Sequence, residues 1–318
     1  MSTEADDSYI SMMYELTEKT QARTLNKFQT TNDREKIIAW DTERYQKIRA
    51  ETEPLVFAHL QERYGKILTN FWQTYLPPLR APKAFVICER RAHPNMWFIL
   101  RNIAWAGPDM AVFIFCSDEN YGAIRALLGN KVNSFHLIQY FQGNPVDRKD
   151  AIREFNNFYT NYQVYEQIAA LSGAEYIVTV QMDNYFRKRL VPQLFVGDYY
   201  GACWTWDFDL AGGGGLTMRR VQKMIELCKE HRPNIMLDVA ECAGEDYWIA
   251  SKIKSDKYPD VLDRLGIFLE RSVIVVMSEK KGFIIDPYAV HQTWAYCYQE
   301  FTRDEYLFIW KELLTLKL

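Results

Sequence analysis

Residues 176–186 read YIVTVQMDNYF: six apolar or β-branched residues and a glutamine lead to one carboxylate, Asp183. The short apolar run predicts a buried strand, and the charge falls where that strand should end and meet water. Three runs of the same kind precede it, AFVIC (84–88), AVFIFC (111–116) and SFHLIQY (134–140), with helical stretches near 95–105, 121–128 and 157–171 between them. Strands alternating with helices predict an α/β fold with a largely parallel sheet. Ligands of such sheets bind outside the carboxyl ends of the strands, and Asp183 lies at a carboxyl end.

Upstream the texture differs. Residues 1–80 carry no glycine before Gly65 and no proline before Pro54, and are rich in Glu, Lys, Gln and Arg. Leu55, His59, Leu60, Tyr64, Ile67, Leu68, Phe71 and Trp72 recur at three- and four-residue steps, which predicts an amphipathic helix. LPPLRAP (76–82) then stops helix formation. The reading is a helical extension over 1–80, packed on a main domain at 81–318 or on a partner, including a second copy of the chain. Downstream of Asp183 the alternation breaks down. DYYGACWTWDFDLAGGGGLTMRR (198–220) is aromatic and glycine-rich, and a helix is expected over 219–231. AECAGEDYW (240–248), a strand SVIVVM (272–277), DPYAVHQTW (286–294) and a closing amphipathic helix within 303–318 follow.

Composition limits the function. The chain of 318 residues is 48% hydrophobic and 25% charged, enough for a substantial core. A net charge of -3 supplies no global basic field, so nucleic acid is not an expected partner. The six cysteines form no CxxC pair and mostly sit in apolar runs, which suits buried thiols in a reducing compartment rather than a disulfide framework or zinc site. The acidic N-terminal stretch lacks signal-peptide order, and no window approaches the roughly 20 apolar residues that span a bilayer. A cytoplasmic protein is expected.

Several residues carry candidate chemistry, each with a plainer structural role beside it. Asp183 could hold a divalent cation with phosphate oxygens, or cap a turn at the strand end. Glu245 and Asp246 precede a helical segment, where first-turn carboxylates suit the helix dipole, and either could serve as a general base. The GGGG at 212–215 points to close backbone approach by a ligand or to a turn, yet lacks the form of a phosphate cradle. Arg219 and Arg220 could meet a diphosphate or open a solvated helix. His291 in PYAVHQTW could be a ligand or a satisfied core histidine. Glu89, Arg90, Arg91 and His93, directly after the first strand, occupy another carboxyl-end position, where a nucleotide would be read.

The order of these pieces, an opening strand followed by ERRAHPNMWFILRN, then VQMD, GACW, GGGGLTMRR, GEDYW and AVHQTW, resembles the GT-A class of nucleotide-sugar glycosyltransferases, and within it a largely uncharacterised family. The resemblance covers about residues 83–295 and leaves out the N-terminal helices. It implies a GT-A-like, Rossmann-type sheet flanked by helices, and a nucleotide-diphosphate sugar as donor with a glycan or other hydroxyl as acceptor. It also implies Mn²⁺ or Mg²⁺ as cofactor. By the same resemblance Asp183 matches the last acidic residue of the DxD element and His291 the C-terminal metal- or phosphate-binding histidine. Asp246 matches the base of an inverting enzyme, with Glu245 orienting it or touching the acceptor. Gly213, Gly214 and Gly215 would line the donor sugar and acceptor, and Glu89 and Arg91 would lie near the nucleotide. One departure stands out: Gln181 occupies the place of the first DxD carboxylate. Two other readings compete. A sugar-nucleotide pyrophosphorylase is disfavoured because no glycine- and lysine-rich loop follows the first strand. A catalytically silent nucleotide-sugar or glycan-binding scaffold is favoured by Gln181 and opposed by the Glu245-Asp246 pair.

Overall fold

The computed structural model describes residues 8–15, 34–143, 148–201, 215–231, 244–253, 268–270, 286–291 and 303–318. Its centre is a six-stranded sheet of β1 (Lys83–Cys88), β2 (Ala111–Ser117), β3 (His136–Phe141), β4 (Tyr176–Val180), β6 (Tyr199–Gly201) and β7 (Leu216–Arg220), in the order β3-β2-β1-β4-β7-β6. β1 pairs in parallel with β2 and β4, and β2 with β3; β7 runs antiparallel to both β4 and β6. β1, β2 and β4 are almost continuously apolar because helices cover both faces of the sheet, leaving no solvated side to encode as alternation. β3, at the edge, is mostly only half-buried. The mixed α/β, mostly parallel architecture expected from the sequence is the one observed.

The chain builds outward from β1 through β2 to β3, then returns to place β4 on the other side of β1. That reversal is a topological switch point, the place where ligands of such sheets bind, between the carboxyl ends of β1 and β4. Glu89 to Arg91 follow β1 there, and Gln181 to Asp183 follow β4. A second sheet, β5 (Asn184–Phe186), β9 (Ala289–His291) and β8 (Phe268–Glu270), starts immediately after Asp183.

Helix α1 spans Arg34–Thr74, 41 residues with Pro54 inside it, and ends just before the proline-rich stop. Its buried face follows Val56, Leu60, Tyr64, Leu68 and Trp72, and these side chains share one core with β1, β2 and α2 (Met96–Ala106). Phe57 meets Phe98 of α2 edge to face, with ring centroids 5.6 Å apart. Complete burial of Val56, Leu60 and Leu68 contributes about 1.5–3 kcal/mol each. Ile67, read from the sequence as part of this stripe, is 50% exposed, because it stands one residue, and so about 100° of helical turn, from the buried line through Leu68.

Other boundaries differ from the sequence reading for local reasons. The helix expected at 157–171 is two helices, α4 (Arg148–Tyr159) and α5 (Tyr162–Ser172), divided where the Asn161 side chain caps α5 by accepting from the Gln163 amide at 3.0 Å. Residues 219–220 belong to β7 and not to the helix that follows, α6 (Val221–His231), because Leu216 to Arg220 pair with β4. The Thr179 and Thr217 hydroxyls, 2.8 Å apart, tie the two strands together. α3 (Asp118–Leu128) begins earlier than expected, under a capping box of Ser117 and Asn120. The expected strand at 272–277 lies outside the described residues, as do Cys203, Cys242 and Cys297; Cys88, Cys116 and Cys228 are buried. Among the described residues no helix is long and apolar enough to cross a membrane.

Candidate active site

Strand pairing brings Asp183 and His291 together. β5 begins at Asn184, and Asn184 pairs with His291 in the antiparallel β5–β9 ladder, which brings Asp183, one residue upstream, close to His291. Asp183 Oδ1 lies 3.4 Å from His291 Nε2, and the two residues are 1% and 5% exposed. The C-terminal segment steadies this strand pair. The buried guanidinium of Arg187 donates to the carbonyls of Pro287, Glu312 and Thr315, and the Tyr185 hydroxyl donates to the Leu313 carbonyl at 3.0 Å. The anchors join Tyr185 in β5 and Arg187 just after it to the end of α8 (Arg303–Leu313) and the residues beyond it.

Gly215, last of the four consecutive glycines, closes the site from below. A Cβ there would lie 2.2 Å from His291 Cε1, 2.3 Å from Nε2 and 2.8 Å from Gln181 Oε1, so only a glycine admits the imidazole at this position. The Asn184 side chain donates to the Gly215 carbonyl at 2.6 Å and fixes the same contact from the strand side. Gly213 and Gly214 lie outside the described residues, as do Trp204, Trp206, Phe208 and Trp294.

Helix α1 supplies residues that the sequence reading did not single out. Arg49 Nη2 lies 2.8 Å from Asp183 Oδ2, and Arg49 Nε donates to Glu53 Oε2 at 2.9 Å. Asn95 bridges onward, donating to Glu53 Oε1 at 3.2 Å and to the Met182 carbonyl at 3.0 Å. Burial, and next the charge of Asp183, pushes the Glu53 carboxyl above its usual range, against the opposing pull of Arg49. His93 is shifted the other way, downward, by burial and then by Arg91. Its Nδ1 accepts from the Asn95 amide, leaving Nε2 directed at Glu53 Oε1, 3.7 Å away. Position along α1 held a signal: Arg49 stands seven residues before Val56 and Glu53 seven before Leu60, so helical spacing continues the buried face into charged residues.

The loop after β1 is clamped by the cap of α3. Asn120 Nδ2 donates to the carbonyls of Glu89 and Arg91, and the Ser117 hydroxyl donates to that of Arg90 at 2.6 Å. Within the loop Arg91 closes on Glu89 through its backbone N–H, Nε and Nη2, all within 2.8–2.9 Å of the carboxylate. Arg49 and Asp183 both act electrostatically on Arg91, so the Glu89–Arg91 pair borders the Asp183 cluster.

Glu245 and Asp246 open α7 (Glu245–Lys252) on the opposite layer. Glu245 is buried: its amide donates to Asn156 Oδ1 at 3.2 Å and its Oε1 lies 3.4 Å from Arg219 Nη2. Burial, and then the charge of Asp246, raises its carboxyl to about 7. Asp246 is less enclosed and accepts from the Tyr247 amide at 2.7 Å. Arg219, a candidate for a diphosphate by sequence, is instead an interior residue, fully buried between the Tyr159 and Tyr199 rings and donating to Tyr165 and Thr217 hydroxyls. Arg220 turns outward toward Asp198.

The donor set at Asp183 suits a divalent cation in part. An oxygen and a nitrogen 3.4 Å apart match two ligands of one cation with bonds of about 2.1 Å. Among the described residues no group of three His, Cys, Asp or Glu side chains converges on a metal position, so the other ligands would be diphosphate oxygens and water.

A family model described as "Protein of unknown function (DUF5672)" matches residues 138–262, a span holding Asp183, Gly215, Glu245 and Asp246 but not His291. No curated protein matches the sequence. Among solved structures, a crystal structure of an active-site mutant of LgtC is similar at a TM-score of 0.41 and 11% identity, over 71% of this chain and 94% of that one. Galactosyltransferase LgtC in complex with donor and acceptor sugar analogs is similar at 0.38 and 11%, over 72% of this chain and 96% of that one. Likeness at these scores carries no functional weight, which therefore falls on the site itself.

Proposed function

We propose that the protein is a glycosyltransferase that moves a sugar from a nucleotide-diphosphate donor to a hydroxyl acceptor with inversion. One observation carries the reading: the topological switch point gathers Asp183, His291 and the Glu89–Arg91 pair, the residues that the motif order assigns to the donor, at one edge of the sheet. Asp183 and His291 would hold Mn²⁺ or Mg²⁺, which when bound neutralises charge developing on the departing diphosphate. Glu89 and Arg91 lie on the nucleotide side of the site. Asp246, the more accessible carboxylate of its pair, takes the acceptor proton as the hydroxyl attacks the anomeric carbon from the face opposite the diphosphate. Glu245, held by Arg219 and the Asn156 amide group, fixes the start of α7 and thereby the position of Asp246. Gly213 and Gly214, with Gly215, belong to the loop over the donor sugar.

The test is a thermal-shift screen of nucleotide sugars with and without Mn²⁺, followed by Asp183→Ala and His291→Ala. A ligand at a hundredfold excess over its Kd raises stability by about 2.7 kcal/mol, well within detection. Both variants are expected to lose the metal-dependent part of the shift while keeping the fold. Unchanged Mn²⁺-dependent binding in both refutes the shared site. A binding scaffold would show the same donor affinity and no turnover, including no slow hydrolysis of the donor.

A further inference from the structure

We infer that Arg49 is a positioning residue of this site: by holding Oδ2 of Asp183 it presents Oδ1 to His291, which makes the N-terminal helix part of the site rather than an attachment to it. The inference rests on the proposed pairing of Asp183 and His291 around a cation. Its basis is a closed ring of contacts. Arg49 bridges Asp183 and Glu53 with two different nitrogens, at 2.8 and 2.9 Å. Glu53 accepts from Asn95, and Asn95 donates back to the carbonyl of Met182, the residue before Asp183. Three separate pieces of chain, α1, the start of α2 and the β4–β5 connection, are thus locked to one another around one carboxylate.

A carboxylate has two equivalent oxygens and a broad terminal torsion, so burial alone does not decide which oxygen faces a ligand. A charge-assisted bond to one oxygen does decide it. The need is sharpened by Gln181: with the first acidic position neutral, Asp183 is the carboxylate this strand end offers. Lysine could not replace the arginine, because a single ammonium cannot span Asp183 and Glu53 in the fixed fork that Nε and Nη2 provide.

The experiment titrates Mn²⁺, alone and with inorganic pyrophosphate, into the full-length protein and follows free Mn²⁺ by electron paramagnetic resonance. Urea midpoints are measured in parallel. Loss of a residue that orients a metal ligand lowers affinity about 10- to 100-fold. Arg49→Met and Arg49→Lys are therefore expected to weaken Mn²⁺ binding by at least tenfold. Removing Arg49 also leaves Glu53 and Asp183 facing each other, which could disturb the fold, so the double variant Arg49→Met/Glu53→Gln removes that repulsion. It should stay weak. Affinity within twofold of wild type for Arg49→Met, with Asp183→Ala showing loss, overturns the inference and leaves the metal site standing. Recovery in the double variant also overturns it, since Arg49 would then only screen Glu53. Absence in wild type of any Mn²⁺ binding that Asp183→Ala removes refutes the metal site itself, and the inference with it.

Discussion

Replacing Gly215 by alanine adds one methyl group at the most crowded point of the site. The new Cβ would stand 2.2–2.3 Å from two atoms of the His291 ring, where ordinary contacts are 3.4–4 Å. The ring must therefore retreat by about 1 Å, or the β7 entry must move by as much; forced repacking of this kind typically costs about 1–3 kcal/mol. Retreat is hard, because His291 is held in register with Asn184 and the Asn184 side chain is bonded to the Gly215 carbonyl. The displacement falls on the Asp183–His291 separation, so the loss should appear both in the urea midpoint and in Mn²⁺-dependent nucleotide binding. Gly122 is the control. It lies exposed within α3 with nothing within 4 Å of its Cβ position, and alanine there should stabilise the protein by up to about 1 kcal/mol through helix propensity. Opposite signs for the same substitution are the expected outcome. Equal stability gains at both positions, or Gly215→Ala binding Mn²⁺ and nucleotide as wild type does, would refute the close-approach argument.

Asp246→Asn should keep donor affinity and lower transfer by about 10²- to 10⁴-fold; turnover within a few-fold of wild type would give the pair a structural role. Glu245 binds its proton more tightly folded than unfolded, so its contribution to stability is greatest below about pH 4.5 and is lost as pH rises toward about 7. Glu245→Gln should flatten that part of the urea-midpoint profile between pH 5 and 7, and an unchanged slope would mean that another group causes it. Leu60→Ala, at a fully buried position of α1, should cost about 2–5 kcal/mol in a single cooperative transition; a separate early transition would show α1 folding apart from the sheet.

The central strands were legible because both their faces are covered: AFVIC, AVFIFC and YIVTV carry continuous apolar signals, too short for a buried helix and typical of an interior strand. β7 was misread because LTMRR carries two arginines, and a run of charges next to a helical pattern reads as helix start. Only the partner strand reveals that Arg219 points inward among tyrosines. Asp183 and His291 could be nominated by residue type and order, whereas their contact is made by the β5–β9 ladder, which joins segments remote in sequence. Arg49 and Glu53 escaped notice for a related reason. Charged residues on a charged helix carry no marking of their own, and their role follows from where α1 crosses the carboxyl edge.

The two carboxylate clusters occupy different layers of the same sheet, and the loop after β1 lies between them. Asp183, Arg49 and Glu53 belong to the side covered by α1 and α2, while Glu245 belongs to the side of α4 and α7. Arg91, the partner of Glu89, feels Asp183 and Arg49, and the neighbouring Cys88 thiol is pushed up by burial and then by Glu89 and Glu245. A fold that placed both carboxylate groups in one layer would bring like charges together and raise their proton affinity, as Asp246 already does to buried Glu245. Separation across the strand ends instead leaves Asp183 with Arg49 and His291, and Asp246 beside Glu245.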